Sequence, residues 1–381
     1  MADRYHVFIV AGEASGEAHS ARVAEALKQI QPTIYLSGVG GEKMRQAGVD
    51  VVYDFAELAV MGLVEVIKSY PRIKQVFNGV VDRLAREKPD LLVLVDYPGF
   101  NLKLAKQAKK LGIPVLYYIS PKIWAWRPGR IKQIKRYVDH MAVLFPFEQS
   151  LYQSAEVPVT CVGHPLVDAV KNDLSVEQAR EKLGINSQRR IIGLFPGSRH
   201  SEILRLLPVM LEAAERIQSR HFDLDILLPV APGIDAGELQ ALVNQSNLPV
   251  TLIKDNFYEV IKSCDAIIAA SGTVTLEIAL HGVPHFVCYR VAPLSYRILK
   301  HLVKIPYVGL CNIVTERNAV TELLQDEVTA VRLEQQLTDL LTHPHAKSRA
   351  EQLREEVLTA LGPAGGADNT AKLIIHLVEQ G

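Results

Sequence analysis

Leu91-Leu92-Val93-Leu94-Val95-Asp96-Tyr97-Pro98-Gly99-Phe100-Asn101 is the stretch on which the fold turns. Its five consecutive apolar residues, flanked by Pro89 and Pro98, are too few for a helix and read as a strand buried on both faces. Such strands belong to parallel sheets covered by helices. The run ends abruptly in a carboxylate, and ligands of open α/β sheets bind just beyond the carboxyl ends of the strands. Asp96 therefore stands where chemistry would be placed, although an aspartate before Pro98 and Gly99 also serves simply to open a turn.

Working outward, similar runs recur along the chain at His6–Val10, Ile34–Leu36, Val51–Tyr53, Val115–Ile119, Met141–Leu144 and Thr160–Val162. After a break they resume at Ile191–Leu194, Asp225–Leu228, Val250–Ile253, Ala266–Ala269 and His285–Cys288. Most neighbours are separated by a segment of helical spacing, such as Val76, Phe77, Val80, Val81 and Leu84, which is the pattern of βαβ units. The break runs from Gly163-His164-Pro165 to Ser175. The predicted fold is thus α/β, with two Rossmann-like domains whose parallel sheets face a central cleft holding the site. The expected division is an N-terminal domain over 1–165, a second over 166–345, and C-terminal helices over 346–381 able to cross back to the first.

Length and composition set the class. The 381 residues suffice for two domains, and 48% hydrophobic with 22% charged residues describes a globular chain without low-complexity tracts. Lys+Arg and Asp+Glu both number 42, so no net field favours a nucleic-acid partner. Cys161, Cys264, Cys288 and Cys311 are scattered without metal-like spacing and suit buried thiols in a reducing compartment. The apolar run Val7–Ala11 is too short for a signal-peptide core, and no window offers the roughly 18 apolar residues of a membrane span. A cytosolic protein is expected, with peripheral membrane contact open.

Three further loops invite a functional reading. The first strand leads into Gly12-Glu13-Ala14-Ser15-Gly16-Glu17-Ala18-His19, where two glycines before a helix let the backbone approach a ligand. Glu13, Ser15, Gly16 and His19 are its candidate cleft residues, and a tight turn with a Ser cap is the alternative. The dinucleotide fingerprint is absent; Gly38-Val39-Gly40-Gly41 has Lys43 where a third glycine should stand, which argues against NAD. In the second half, Pro196-Gly197-Ser198-Arg199 opens a helix, offering backbone donors and a guanidinium fork for phosphate, or else an ordinary cap. Ser271-Gly272-Thr273-Val274-Thr275-Leu276-Glu277 follows another strand, and Glu277, expected about two turns into its helix, is no capping-box acid. Buried, it would need a partner such as the vicinal hydroxyls of a ribose; otherwise it is solvated. Asp223-Leu224-Asp225 precedes a strand rather than following one, and His343-Pro344-His345 lacks further ligands, so neither is taken as a metal site.

Residues 61–84 place Leu63, Val64, Val66 and Ile67 ahead of Lys68, Arg72 and Lys74. An apolar surface interleaved with cations suits anionic lipid or acyl chains, while a core-facing helix gives the same stripe.

Several of these pieces occur in an order that resembles one family. They are Ala11-Gly12-Glu13-Ala14-Ser15-Gly16, Met61-Gly62-Leu63-Val64-Glu65-Val66, Asp96 with Pro98-Gly99-Phe100-Asn101, and Ser120-Pro121 with Trp124-Ala125-Trp126-Arg127. Leu144-Phe145-Pro146-Phe147-Glu148, Val162-Gly163-His164-Pro165, Pro196-Gly197-Ser198-Arg199 and Ser271–Glu277 complete the set. The chain, from about residue 7 to about 325, resembles the lipid-A-disaccharide synthases, bacterial inverting glycosyltransferases of the GT-B fold.

The resemblance implies a reaction joining UDP-2,3-diacylglucosamine and 2,3-diacylglucosamine 1-phosphate (lipid X) into a β-1,6-linked disaccharide 1-phosphate and UDP. It implies no cofactor and no metal. Asp96 matches the proposed catalytic base. Gly197, Ser198, Arg199, Ser271, Gly272, Thr273, Glu277 and Asn312 fall at donor positions, and Ser15 also lies at the site. Leu63, Val64, Val66, Ile67, Lys68 and Arg72 correspond to the membrane- and acyl-contacting region. The resemblance places the chain at the cytoplasmic face of the inner membrane and admits a homodimer. Glu17 stands where Asp is usual, Lys122 replaces a small or amide residue, and Thr321 stands where Pro is common, departures that bear on acyl preference. Another GT-B enzyme of UDP-sugars, such as an epimerase or a lipid-linked muramyl transferase, or a non-catalytic nucleotide-sugar sensor, would share the second-half loops.

Overall fold

The structure, a computed structural model, describes residues 5–57, 63–125, 128–170, 174–185, 189–220, 224–292, 296–297 and 306–380, without the side chains of 57 and 63–70. The chain divides into two compact units, Met1–Asp168 with Leu361–Gly381, and Ala169–Ala360.

In the first unit the chain runs β1 (His6–Ala11), α1 (Ala14–Ile30), β2 (Tyr35–Gly40), α2 (Glu42–Gln46), β3 (Asp50–Asp54) and α3 (Leu63–Glu87). There follow β4 (Leu91–Val95), α4 (Pro98–Lys110), β5 (Val115–Tyr118), α5 (Ile131–Tyr137), β6 (His140–Val143), α6 (Pro146–Ser154), β7 (Val159–Cys161) and α7 (Pro165–Ala169). The seven strands form one parallel sheet in the order β3-β2-β1-β4-β5-β6-β7. All five residues of β4 are buried, as a central strand covered by helices requires. The stripe in the second half of α3 faces inward: Val76, Val80 and Leu84 pack in one cluster with Phe8, Val10, Leu92 and Leu94.

From β1 the chain turns one way into β2, and from β4 it turns the other way into β5. The gap between β1 and β4 is therefore a topological switch point, where crevices form outside the strand ends. Register makes this concrete, since Ala11 pairs with Val95 and so Gly12 and Asp96 leave the sheet side by side.

The second unit comprises α8 (Val176–Lys182), β8 (Arg190–Phe195), α9 (His200–Gln218), β9 (Leu224–Pro229), α10 (Ala236–Val243), β10 (Val250–Ile253) and α11 (Phe257–Ser263). It continues with β11 (Ala266–Ala270), α12 (Val274–Leu280), β12 (His285–Tyr289), α13 (Leu310–Thr315), β13 (Glu322–Leu324), α14 (Ala330–Thr342) and α15 (Ala346–Leu361). Its parallel sheet is ordered β10-β9-β8-β11-β12-β13, with a second switch point between β8 and β11, where Phe195 pairs with Ala269. β13 is an edge strand of three residues with a glutamate at its head, too short and too polar to stand out as an apolar run.

The last helix, α16 (Gly366–Gln380), returns to the first unit and packs along α1. It buries Thr370, Ala371, Ile374 and Val378, one stripe at helical spacing. Asp168 holds its start, accepting from the backbone N–H groups of Gly365 at 2.8 Å and Gly366 at 3.2 Å, as a capping carboxylate does. Two backbones meet there: a Cβ on Gly163 (φ +92°) would stand 2.3 Å from the Pro363 carbonyl oxygen. α15, which the sequence groups with the tail, belongs to the second unit up to Ala360.

Candidate active site

At the first switch point the loops after β1 and β4 interlock. A Cβ on Gly12 would lie 2.4 Å from the Tyr97 ring, so only glycine lets that ring cover the turn. Asp96 (φ +43°), Tyr97 (φ +45°) and, after β5, Ile119 (φ +66°) all occupy the left-handed region without being glycine. For the β-branched Ile119 this conformation is rare, and such strain persists only where surrounding structure overdetermines it. The clamp is visible. The Asp96 N–H donates to the Tyr118 carbonyl (3.0 Å), while the Asp96 carbonyl accepts from Asn101 Nδ2 (2.8 Å) and the Tyr117 hydroxyl (2.6 Å). Asn101, fully buried, also donates to the Val95 carbonyl at 3.1 Å. With its main chain held, Asp96 presents a carboxyl whose pKa is raised to about 6, by burial first and the charge of Glu13 second, against the pull of Lys122 and the Tyr97 amide.

A pocket of about 220 Å³ opens on this carboxyl, lined by Asp96, Pro98, Ile119, Ser120, Pro121, Lys122, Trp124, Arg130, Leu144, Phe145 and Glu148. Glu148 is the residue the sequence reading left without a role. It sits in the first turn of α6, 2% exposed, and accepts from Trp124 Nε1 at 3.1 Å and, weakly, from the Phe145 N–H at 3.4 Å. Burial lifts its pKa to about 7 against those bonds and one from Ser120. The signal was present in Phe145-Pro146-Phe147-Glu148, a proline at the first helical position with a glutamate two residues on.

The other candidates of the first loop divide. Glu13 and Ser15 are exposed at the start of α1, and Gly16 is buried against Val95. His19 is largely buried, and burial with the nearby Arg22 lowers its pKa to about 4, so the ring is neutral. His164 is likewise lowered to about 4 by burial and by His19, and its ring lies 5.0 Å from that of Phe145. Glu17 serves the fold, since its Oε1 accepts from the Lys43 N–H (2.8 Å) at the start of α2. That accounts for a carboxylate there without reference to acyl chains.

The second switch point assembles the remaining loops. Gly197 is left-handed (φ +108°), and a Cβ there would stand 2.4 Å from Glu202 Oε2. Ser198 is exposed, and Arg199 is the N-cap residue of α9, its exposed guanidinium paired with Glu202 at 2.8 Å. Glu277 lies in the first turn of α12, not two turns in, because the helix opens only at Val274. It accepts from the Tyr258 hydroxyl at 3.3 Å, and burial raises its pKa to about 7. Thr273 is exposed, Gly272 borders open space, and Ser271 donates to the Val308 carbonyl at 2.7 Å. Asn312 is placed differently from the donor-contact expectation. It is fully buried, donating to the Val320 carbonyl (2.9 Å) and Glu322 (2.8 Å) and accepting from Ala319 and Val320 N–H groups (2.9 Å each). Its amide is consumed in tying α13 to β13.

Of the 61–77 region, Arg72 is described and exposed; the side chains of Leu63, Val64, Val66, Ile67 and Lys68 lie outside the described residues. Among the described residues no helix is long and apolar enough to cross a membrane, and no group of three or more His, Cys, Asp or Glu could hold a metal ion. Asp225 is at the start of β9, paired with Arg189 at 2.9 Å, and Asp223 is outside the described residues.

Two Rossmann-like units of this topology are shared with solved structures of sugar-nucleotide enzymes. A putative UDP-N-acetylglucosamine 2-epimerase from Listeria monocytogenes matches with a TM-score of 0.65 at 14% identity, over 98% of this chain and 95% of that one. MurG of Acinetobacter baumannii matches with a TM-score of 0.60 at 18% identity, over 98% and 99%. The fold class is thus GT-B, and together with its relatives in sequence it defines a glycosyltransferase. Residues 7–372 match the family described as lipid-A-disaccharide synthetase, and the chain belongs to it. A lipid-A-disaccharide synthase of Trichlorobacter lovleyi is 44% identical over 374 residues, covering 98% of each chain. One of Coxiella burnetii is 41% identical over 372 residues, again 98% of each.

Proposed function

We propose that the chain transfers 2,3-diacylglucosamine from UDP-2,3-diacylglucosamine to 2,3-diacylglucosamine 1-phosphate with inversion, releasing UDP in lipid A biosynthesis. The observation that carries the chemistry is the Asp96 carboxyl: clamped at a switch point, opening on a pocket, with a pKa of about 6. Inverting transfer needs the acceptor hydroxyl deprotonated as it attacks the anomeric carbon. A carboxylate with that pKa is largely ionised at neutral pH and a stronger base than an exposed aspartate.

The leaving diphosphate gains charge as the bond to the anomeric carbon breaks. Arg199, the Gly197-Ser198 turn and the start of α9 supply donors and a positive dipole end for it. Arg199 would exchange Glu202 for phosphate, which an exposed guanidinium can do at little cost. Glu277, with Tyr258 as partner, would accept from the ribose hydroxyls, and Ser271, Gly272 and Thr273 would border the nucleotide. Asn312 would act indirectly, through the loop it anchors. Glu13, Ser15, Gly16 and His19 would border the acceptor side of Asp96.

Residues Leu63, Val64, Val66, Ile67, Lys68 and Arg72 would hold the enzyme at the cytoplasmic face of the inner membrane, where its acylated substrates reside. Replacing Val66 and Ile67 together by Ser should lower co-sedimentation with anionic vesicles severalfold; undiminished binding at matched salt would refute the membrane reading. The activity is tested by incubating the protein with both substrates and assaying for the disaccharide 1-phosphate and UDP. Hydrolysis or epimerisation of the UDP-sugar without disaccharide would overturn it.

A further inference from the structure

Glu148 has no part in the transfer as proposed, yet it is the second carboxyl lining the pocket on which Asp96 opens, and it is almost wholly buried. We propose that Glu148 is a positioning residue for Asp96, clamping the loop after β5 whose near end holds that aspartate's main chain. The proposal rests on the reading of Asp96 as the base.

Two sets of contacts meet in that loop. At its near end the Tyr117 hydroxyl donates to the Asp96 carbonyl (2.6 Å), and the Tyr118 carbonyl accepts from the Asp96 N–H (3.0 Å). Ile119 follows in the left-handed region (φ +66°), a conformation that a β-branched residue keeps only when held on both sides. The far side is held from α6. Glu148 accepts from the Ser120 hydroxyl and, at 3.1 Å, from Trp124 Nε1, while the Tyr152 hydroxyl lies 2.7 Å from Ser120 Oγ. A glutamate that merely capped α6 would stay in water and bond its own Phe145 N–H well. This one is 2% exposed, and at 3.4 Å its Phe145 bond is weaker than the one to Trp124.

The clamp needs the carboxylate form, because a hydroxyl has one proton to give. With Glu148 ionised, Ser120 spends that proton on it and takes one from Tyr152. With Glu148 protonated, the carboxyl must itself donate, and Ser120 turns to Tyr152 or to the Pro121 carbonyl 2.9 Å away. One proton thus reverses the chain that fixes the loop. Among the groups facing Glu148, Tyr152 on α6 and Cys161 on β7 are both raised by burial, and His164, against Phe145, is lowered to about 4. All three are neutral near pH 7, and Lys122 and Arg130 are the cations of the pocket. Glu148 changes charge there, at about 7 against about 6 for Asp96.

Both carboxylates must then be ionised for turnover. In the parent, log kcat/KM should rise with a slope of one between about pH 6 and 7 and approach two below that, whereas Glu148→Gln should leave a slope of one throughout. At pH 8 this variant should lose about 10–100-fold in kcat with both KM values within about twofold. The chain has two tryptophans, so Trp126→Phe leaves Trp124 as sole reporter; its emission should titrate with a midpoint near 7 and fall silent once Glu148→Gln is added. Parent kcat in the Gln variant, a loss confined to KM, or an unchanged slope would overturn the proposal. If Glu148→Gln does not fold, Ser120→Ala decides: kcat should drop while the emission midpoint remains, and parent kcat would overturn the clamp. Asp96→Asn with parent turnover would remove the base and the clamp's purpose with it. An inactive Asp96→Asn beside a pH-silent Trp124 would remove the clamp alone.

Discussion

An aspartate whose carboxyl is raised to about 6 while its backbone sits in the left-handed region carries two measurable signatures. As a general base it must be ionised, so kcat/KM should fall as pH drops through about 6 rather than near 4, a limb read from a pH–rate profile. Asp96→Asn should lower turnover about 10²–10⁴-fold, the usual worth of such a base; near wild-type rates would remove it from the mechanism. The second signature is in stability. The raised folded pKa means folding disfavours the ionised form, a penalty present in full above pH 6 and gone below about 4. The Asn variant should therefore melt higher than the parent at pH 8, and this advantage should shrink to nothing as pH falls through that window, as calorimetry would show. A residue that merely opened a turn would share the stability signature, which burial alone produces, but not the limb in the rate profile.

The element that makes Asp96 usable is the joint between β4 and α4, pinned by Asn101. Its amide donates to the carbonyls of Val95 and Asp96, and it is fully buried. Asn101→Ala should cost about 1–3 kcal/mol by leaving those carbonyls short of a donor. Turnover should fall beyond what the lost stability explains, since the strained turn relaxes. A stability loss with unchanged kcat would mean that Asn101 holds the fold but not the base. The strands here were legible because parallel strands buried on both faces are uninterrupted apolar runs, Leu91–Val95 above all. β13 was not, because its three residues begin with Glu322, whose carboxylate serves the Val308 and Gly309 N–H groups rather than marking a strand. Helix starts are less legible still: the sequence pattern puts Glu277 about two turns into a helix that opens only at Val274. The roles of Glu148 and Asn312 depend on partners such as Trp124 and Glu322, pairings no local pattern encodes.

At the scale of the whole molecule, the first unit is not a continuous length of chain. Its seven-stranded sheet ends by β7, yet α16 is packed along α1, with Ile374 and Val378 buried and Asp168 fixing its start. Periodicity reveals that such a helix has an apolar face but not which distant surface covers it. Burying a side chain such as Ile or Val is worth about 1.5–3 kcal/mol, so losing the stripe should remove a large share of a marginal stability. Deleting Leu361–Gly381 should therefore expose sites in α1, such as Arg22 and Lys28, to rapid tryptic cleavage while fragments from 169–360 persist; equal resistance of both would show α16 to be dispensable. The same discontinuity orders events during synthesis. Residues 1–168 emerge first but lack their closing helix until residues 169–360 have been made. At about 5–20 residues per second that interval lasts roughly 10–40 s. The half of the enzyme that leaves the ribosome first is thus completed last, and until then the uncovered face of α1 is a natural target for chaperones.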